Sequence, residues 1–126
     1  MPRYQLVHAD PERAAVLSKA VLGAARALGL AQAQLARVLG LSPASISRMQ
    51  SGAYRLNPDA KEWELAALLV RLYRGLDAIV AGDEVALRAW MKNPNRDLDA
   101  VPAELVTAIP GLVRAVDYVD AHRARV

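Results

Sequence analysis

Gln32-Ala33-Gln34-Leu35-Ala36-Arg37-Val38-Leu39-Gly40-Leu41-Ser42-Pro43-Ala44-Ser45-Ile46-Ser47-Arg48-Met49-Gln50-Ser51-Gly52 has the spacing of two short helices joined by a tight turn. Leu35, Ala36 and Leu39 share one side of the first helix, and Gly40 stands where a helix end takes a left-handed residue. Ser42 then supplies an N-cap and Pro43 a first-turn proline, so a second helix restarts within about three residues. Ile46 and Met49, three apart, face the first helix. Pro43, Ala44, Ser45, Ser47 and Arg48 are left pointing outward. Ala36 is small at the expected crossing, which so tight a turn requires. Such a unit either stands its second helix in a DNA groove, the first hypothesis to test, or is merely part of a helical bundle.

On the N-terminal side, the first residues read as an arm, and Asp10-Pro11-Glu12 as an N-cap, first-turn proline and acid opening a helix. Val16, Leu17, Val21, Leu22, Ala25 and Leu28 keep its apolar stripe until Gly29. On the C-terminal side, Asn57-Pro58-Asp59 is expected to start the longest helix, running to Ala81 before Gly82. Leu65, Leu68, Leu69, Leu72, Leu76, Ile79 and Val80 form one apolar stripe on it, and Trp63, Ala66, Ala67, Val70 and Tyr73 another. A helix apolar over most of its circumference is central in its own domain, shared with a second subunit, or both. The expected dimerisation residues are Leu65, Leu69, Leu72, Leu76 and Ile79, because DNA half-sites are commonly read by twofold dimers.

After Gly82 the pattern changes. Asp83-Glu84 caps a short helix through Trp90-Met91, and Lys92 to Asp97 is a polar turn. Pro102-Ala103-Glu104-Leu105-Val106 starts another helical segment, broken at Pro110-Gly111. Leu112, Val113, Val116, Tyr118 and Val119 pattern a last helix ending in His122-Arg123-Ala124-Arg125-Val126. The expected fold is all-α, a helix-turn-helix bundle followed by a small helical C-terminal unit. The divisions are an arm at 1–11, the helix-turn-helix domain with its long helix at 12–82, and the C-terminal unit at 83–126.

Composition agrees with a packed helical protein. Of the 126 residues, 54% are hydrophobic and 23% charged, with no Phe, so the core must be built from Ala, Leu and Val. There is no cysteine, which excludes disulfides and thiolate metal sites. No apolar run approaches a membrane span and Met1 to His8 lacks a signal-like apolar stretch, so a cytoplasmic location is expected. The net charge of +3 is unevenly distributed, with ten basic against five acidic residues in 1–75 and six against eight in 76–126. The basic half carries the helix-turn-helix, as phosphate neutralisation wants.

The unit at 32–52 resembles the helix-turn-helix of the Xre family of repressors. The stretch after Gly82 also has a specific order: Glu84, Trp90 in Ala-Trp-Met, Asn93-Pro94-Asn95, Leu98, Pro102 with Glu104-Leu105-Val106, then Gly111 and Val116 to Val119. This order resembles the C-terminal domain of the Xre-MbcA-ParS antitoxins, the partners of RES-domain toxins. It departs from that family at Leu98-Asp99-Ala100-Val101-Pro102, which lacks the small glycines usual there. The resemblance implies a type II antitoxin whose N-terminal half binds its own operator as autorepressor. Its C-terminal half would mask the active site of an NAD-degrading RES toxin.

On that resemblance Ala44, Ser45 and Arg48 would lie over base edges and Gln32 and Ser51 against phosphates, with Pro43, Ser47 and Arg55 nearby. Arg48 can pair bidentately with guanine and Ala44 can meet a thymine methyl. Arg114, Asp117, Asp120, His122, Arg123 and Arg125 on the last turns are either toxin contacts or a solvated helix end. Trp90 is either a core anchor or a contact. No cofactor and no metal are expected. The alternative is a stand-alone Xre repressor without a toxin. An enzyme is the weakest reading: His8 and His122 stand near opposite ends, and there is no Gly-rich phosphate loop and no convincing catalytic carboxylate pair.

Overall fold

A computed structural model describes residues 3–125 and the side-chain surroundings of residues 11–124. Seven helices succeed one another: α1 Arg3–Leu28, α2 Gln32–Leu39, α3 Pro43–Gln50, α4 Lys61–Ile79, α5 Glu84–Lys92, α6 Pro102–Leu105 and α7 Ile109–Arg125. Among the described residues there is no strand, only an isolated bridge pairing Asn95 with Ala100. The all-α expectation holds.

Three helix starts differ from the sequence reading, and all involve proline; α7 already begins at Ile109, so Pro110-Gly111 lie in its first turn, where proline is tolerated, and are not the break. α1 begins at Arg3 and carries Pro11 in its interior, so Asp10 is not its cap and residues 3–11 are not a separate arm. Proline removes one helical hydrogen bond and usually costs about 3 kcal/mol inside a helix, but Pro11 is exposed, where water can serve the freed carbonyl. At Asn57-Pro58-Asp59 the same signal makes a turn. Asn57 Oδ1 accepts from the Asp59 amide at 2.9 Å, and α4 starts two residues later with Ala60 as N-cap. α4 is therefore 19 residues long against 26 for α1, which is the longest helix.

α4 lies at the centre, packed by α1, α2, α5 and α7. Leu65, Leu69, Leu72 and Leu76 are each at most 5% exposed, covered by the chain's own helices. This corrects the expectation that they meet a second subunit: the stripe is saturated within one copy, and only Ile79 of the five remains partly exposed. Val16 departs in the opposite sense. Expected in the core stripe of α1, it is 66% exposed, because Ala14, Ser18, Val21, Ala24, Ala25 and Leu28 take the buried arc.

The segments before and after Gly82 share one apolar core. Leu112, Ala115, Val116 and Val119 of α7 pack on α4, and Gly75 is the close approach: a Cβ there would come within 2.6 Å of Val119 Cγ1. Arg88 of α5 closes the far end. Its guanidinium donates to the carbonyls of Arg26 (3.3 Å), which also accepts the Gly29 amide, and Ala27 (3.4 Å), bracing the last turn of α1. Just beyond the polar turn, in the glycine-free segment Leu98 to Pro102, Asp99 takes the left-handed conformation (φ 52). Asp tolerates that region better than most residues, so the turn closes without glycine.

Candidate DNA and toxin interfaces

Local chemistry explains why the helix-turn-helix forms. Gly40 ends α2 at φ 69, and Ser42 Oγ accepts from the Ser45 amide at 3.1 Å to cap α3. Ile46 and Met49 are buried against Leu35, Ala36 and Leu39, as their spacing predicts. The opposite surface of α3 is free of apolar bulk. Pro43, Ala44, Ser47, Arg48 and Ser51 are exposed and Ser45 is half-buried.

These side chains are held in order. Gln32 Nε2 donates to Ser47 Oγ (2.7 Å) and to the Pro43 carbonyl (3.0 Å), pinning the start of α2 to α3. Arg48 Nη2 donates to Ser45 Oγ at 3.1 Å, and Ser51 Oγ donates to the Arg48 carbonyl at 3.0 Å. Two side-chain hydrogen-bonded groups result, Gln32 with Pro43 and Ser47, and Arg48 with Ser45 and Ser51. Ala44 is exposed on the same helix. Arg55 stands apart from it: its Nη1 donates to the Pro11 carbonyl at 3.4 Å, and with Lys19 it lines a cleft between α1 and the segment after α3. Lys19, 13 positions before Gln32 in the chain, carried no signal in the helix-turn-helix spacing.

The segment after α3 is anchored from below. Leu56 is buried and its amide donates to Ser18 Oγ at 2.9 Å. Buried Glu62 accepts from the Tyr54 hydroxyl and, at 2.9 Å, from the Asn57 amide. Burial, reinforced by the hydrogen bond and charge of Glu62, pushes the Tyr54 pKa from 10.0 up to about 12.

At the other end, α7 distributes the expected contact residues over different surroundings. Arg114 Nη2 donates to the Leu98 carbonyl at 3.1 Å, bracing the polar turn. Asp120 pairs with Arg71 of α4 at 2.8 Å. His122 Nδ1 donates to the Tyr118 carbonyl at 3.0 Å, and its ring lies 4.1 Å from that of Tyr118. Tyr118 in turn stacks on Trp90 at 6.4 Å and donates to Asp97 at 2.7 Å, so Trp90 is tied into the packing of α5 on α7. Asp117 and Arg123 are exposed, and Arg123 turns toward α1 and α4. The Arg125 side chain lies outside the described residues.

Compared with known families, residues 7–71 match the antitoxin Xre-like helix-turn-helix domain and residues 76–125 the antitoxin Xre/MbcA/ParS C-terminal toxin-binding domain. The chain belongs to the Xre-like helix-turn-helix antitoxins. A comparison with curated proteins finds no significant match. The antitoxin thus joins a DNA-binding half to a toxin-binding half, neither an enzymatic family. Among the described residues it has no helix long and apolar enough to cross a membrane and no acidic, histidine or cysteine cluster fit for a metal ion. Its two family segments meet near the middle of α4, at Arg71 and Leu76, so they divide the sequence and not the core.

Proposed function

We propose that this antitoxin neutralises a RES-domain, NAD-degrading toxin by masking its active site, and represses its own operon as a homodimer. The observation that carries the reading is the union of an ordered recognition surface at Gln32, Ser45, Ser47 and Arg48 with a toxin-binding family segment at 76–125. Ala44, Ser45 and Arg48 read base edges and Gln32 and Ser51 touch phosphates, with Pro43, Ser47 and Arg55 alongside. Arg48 is the one strong base reader on this surface, so specificity leans on a second half-site and hence on a dimer. Because the leucines of α4 are consumed in the core, that dimer forms through other residues, Ile79 among them.

Toxin masking is assigned to the outer surface of α7, where Asp117 and Arg123 are exposed and neither makes an ion pair among the described residues. Asp120, Arg114 and His122 support them by fixing α7 to α4, to the polar turn and to Tyr118. The test is co-expression with the RES-domain product of a neighbouring gene, reading growth and cellular NAD. Wild type is expected to protect both, and the double variant Asp117→Arg, Arg123→Glu to lose protection while still binding its promoter DNA. Normal NAD loss despite wild-type antitoxin would leave the stand-alone repressor as the better account.

A further inference from the structure

We propose that the groove between α1 and α4 docks an acidic amphipathic helix of a partner protein, a surface distinct from the recognition helix that shares only Arg123 with the exposed face of α7. The groove encloses about 680 Å³. Its floor is apolar: Val16, Leu17 and Ala20 come from α1, and Trp63, Ala67 and Val70 from α4. Val16 is 66% exposed, a branched apolar side chain that the chain's own packing leaves in water. Its rim is basic, with Arg13, Arg71, Arg74 and Arg123 against the single acid Glu12. Arg13 is engaged over the Trp63 ring at 5.7 Å and Arg71 with Asp120, whereas Arg74 and Arg123 make no ion pair among the described residues.

Floor and rim together select the occupant. A nucleic-acid backbone would meet the arginines but gain nothing from Val16, Leu17 and Trp63. A second copy docked by a twofold axis sets one rim of net positive charge against another, which disfavours it. An amphipathic helix satisfies both parts: apolar residues three and four apart fill the floor, and Asp or Glu on its flanks reach Arg74 and Arg123.

The experiment titrates the isotope-labelled full chain with a helical peptide carrying leucines three and four apart and glutamates on both flanks, followed by amide and indole resonances. A twin with lysine for every glutamate serves as control. Shifts are expected at Val16, Ala20, Trp63 and Ala67, with binding on the order of tenfold tighter for the glutamate peptide and the advantage shrinking with salt. Arg74→Glu, at an exposed position that the α7 face does not include, should abolish most of the preference. Equal binding of the twins, no shifts at the groove, or the same shifts produced by a DNA duplex would each overturn the proposal. So would a dimer in sedimentation that Val16→Glu converts to monomer, since the groove would then belong to a second copy.

Discussion

On the proposed reading, base recognition turns on Arg48, and the Ser45 hydroxyl holds it ready. A free arginine must be ordered when it binds; the 3.1 Å bond from Arg48 to the Ser45 hydroxyl holds the guanidinium near the helix surface beforehand. Arg48→Ala should weaken operator binding by about 1–3 kcal/mol and relax base preference at one position in each half-site, read by competition against scrambled duplexes. If binding falls equally for operator and scrambled DNA, Arg48 contacts only phosphate. Tyr54 gives a second prediction for a single side chain, with its sign fixed by its raised pKa. A hydroxyl whose pKa rises from 10.0 to about 12 on folding stabilises the protein fully below pH 10, and that contribution is lost as pH rises through 12. In urea titrations Tyr54→Phe should therefore be less stable than wild type at pH 8, and the gap should close between pH 10 and 12. A gap that stays constant to pH 12 would mean that Tyr54 ionises normally. The capped turn of the helix-turn-helix was legible in sequence because Gly40, Ser42 and Pro43 act on their nearest neighbours. The Arg48–Ser45 and Tyr54–Glu62 pairs were not, since spacing alone does not say which rotamer a side chain takes.

Among the helices, two glycines set how closely α7 can lie. Alanine at Gly75 would gain about 1 kcal/mol of helix propensity. Against that, its Cβ would sit 2.6 Å from Val119 Cγ1, the end of a stiff β-branched side chain that is 1% exposed. Overpacking wins, and Gly75→Ala should destabilise by about 1–3 kcal/mol, with Val119→Ala restoring part of the loss in the double variant. Gly111→Ala should cost more, because its Cβ would fall 2.0 Å from the backbone oxygen of Leu105, which has no rotamer to move. Urea midpoints of the three variants test the order; a Gly111→Ala protein as stable as wild type would contradict the approach of α6 to α7. Neither contact could be read from sequence, where both glycines resemble ordinary helix interruptions. The proline signals at Pro11 and Pro58 fail for a related reason. The same local chemistry serves an exposed helix interior in one case and an Asn57-centred turn in the other, and the choice is made by distant packing, such as Leu56 on Ser18.

For the whole molecule, the apolar circumference of α4 was legible, but not what covers it. Sequence shows that Leu65, Leu69, Leu72 and Leu76 need partners; only the packing shows that α1, α2 and α7 of the same chain provide them. This changes what a truncation can report. Removing residues 112–126 to delete toxin contacts also removes Leu112, Val116 and Val119, each at most 3% exposed, and opens Leu72 and Leu76 to water. Each such side chain is worth about 1.5–3 kcal/mol of burial, so their combined loss rivals the roughly 5–15 kcal/mol that hold a typical domain folded. A fragment ending at Gly82 should therefore show helical content well below that of residues 3–82 in the full chain, no cooperative melting, and no operator binding. Full-length protein carrying Asp117→Arg should melt as wild type does. If the fragment instead folds and binds operator, the α4–α7 contact is dispensable and the two family segments are separable domains. If it unfolds, DNA binding depends on the helices after Gly82, because one core supports both family segments.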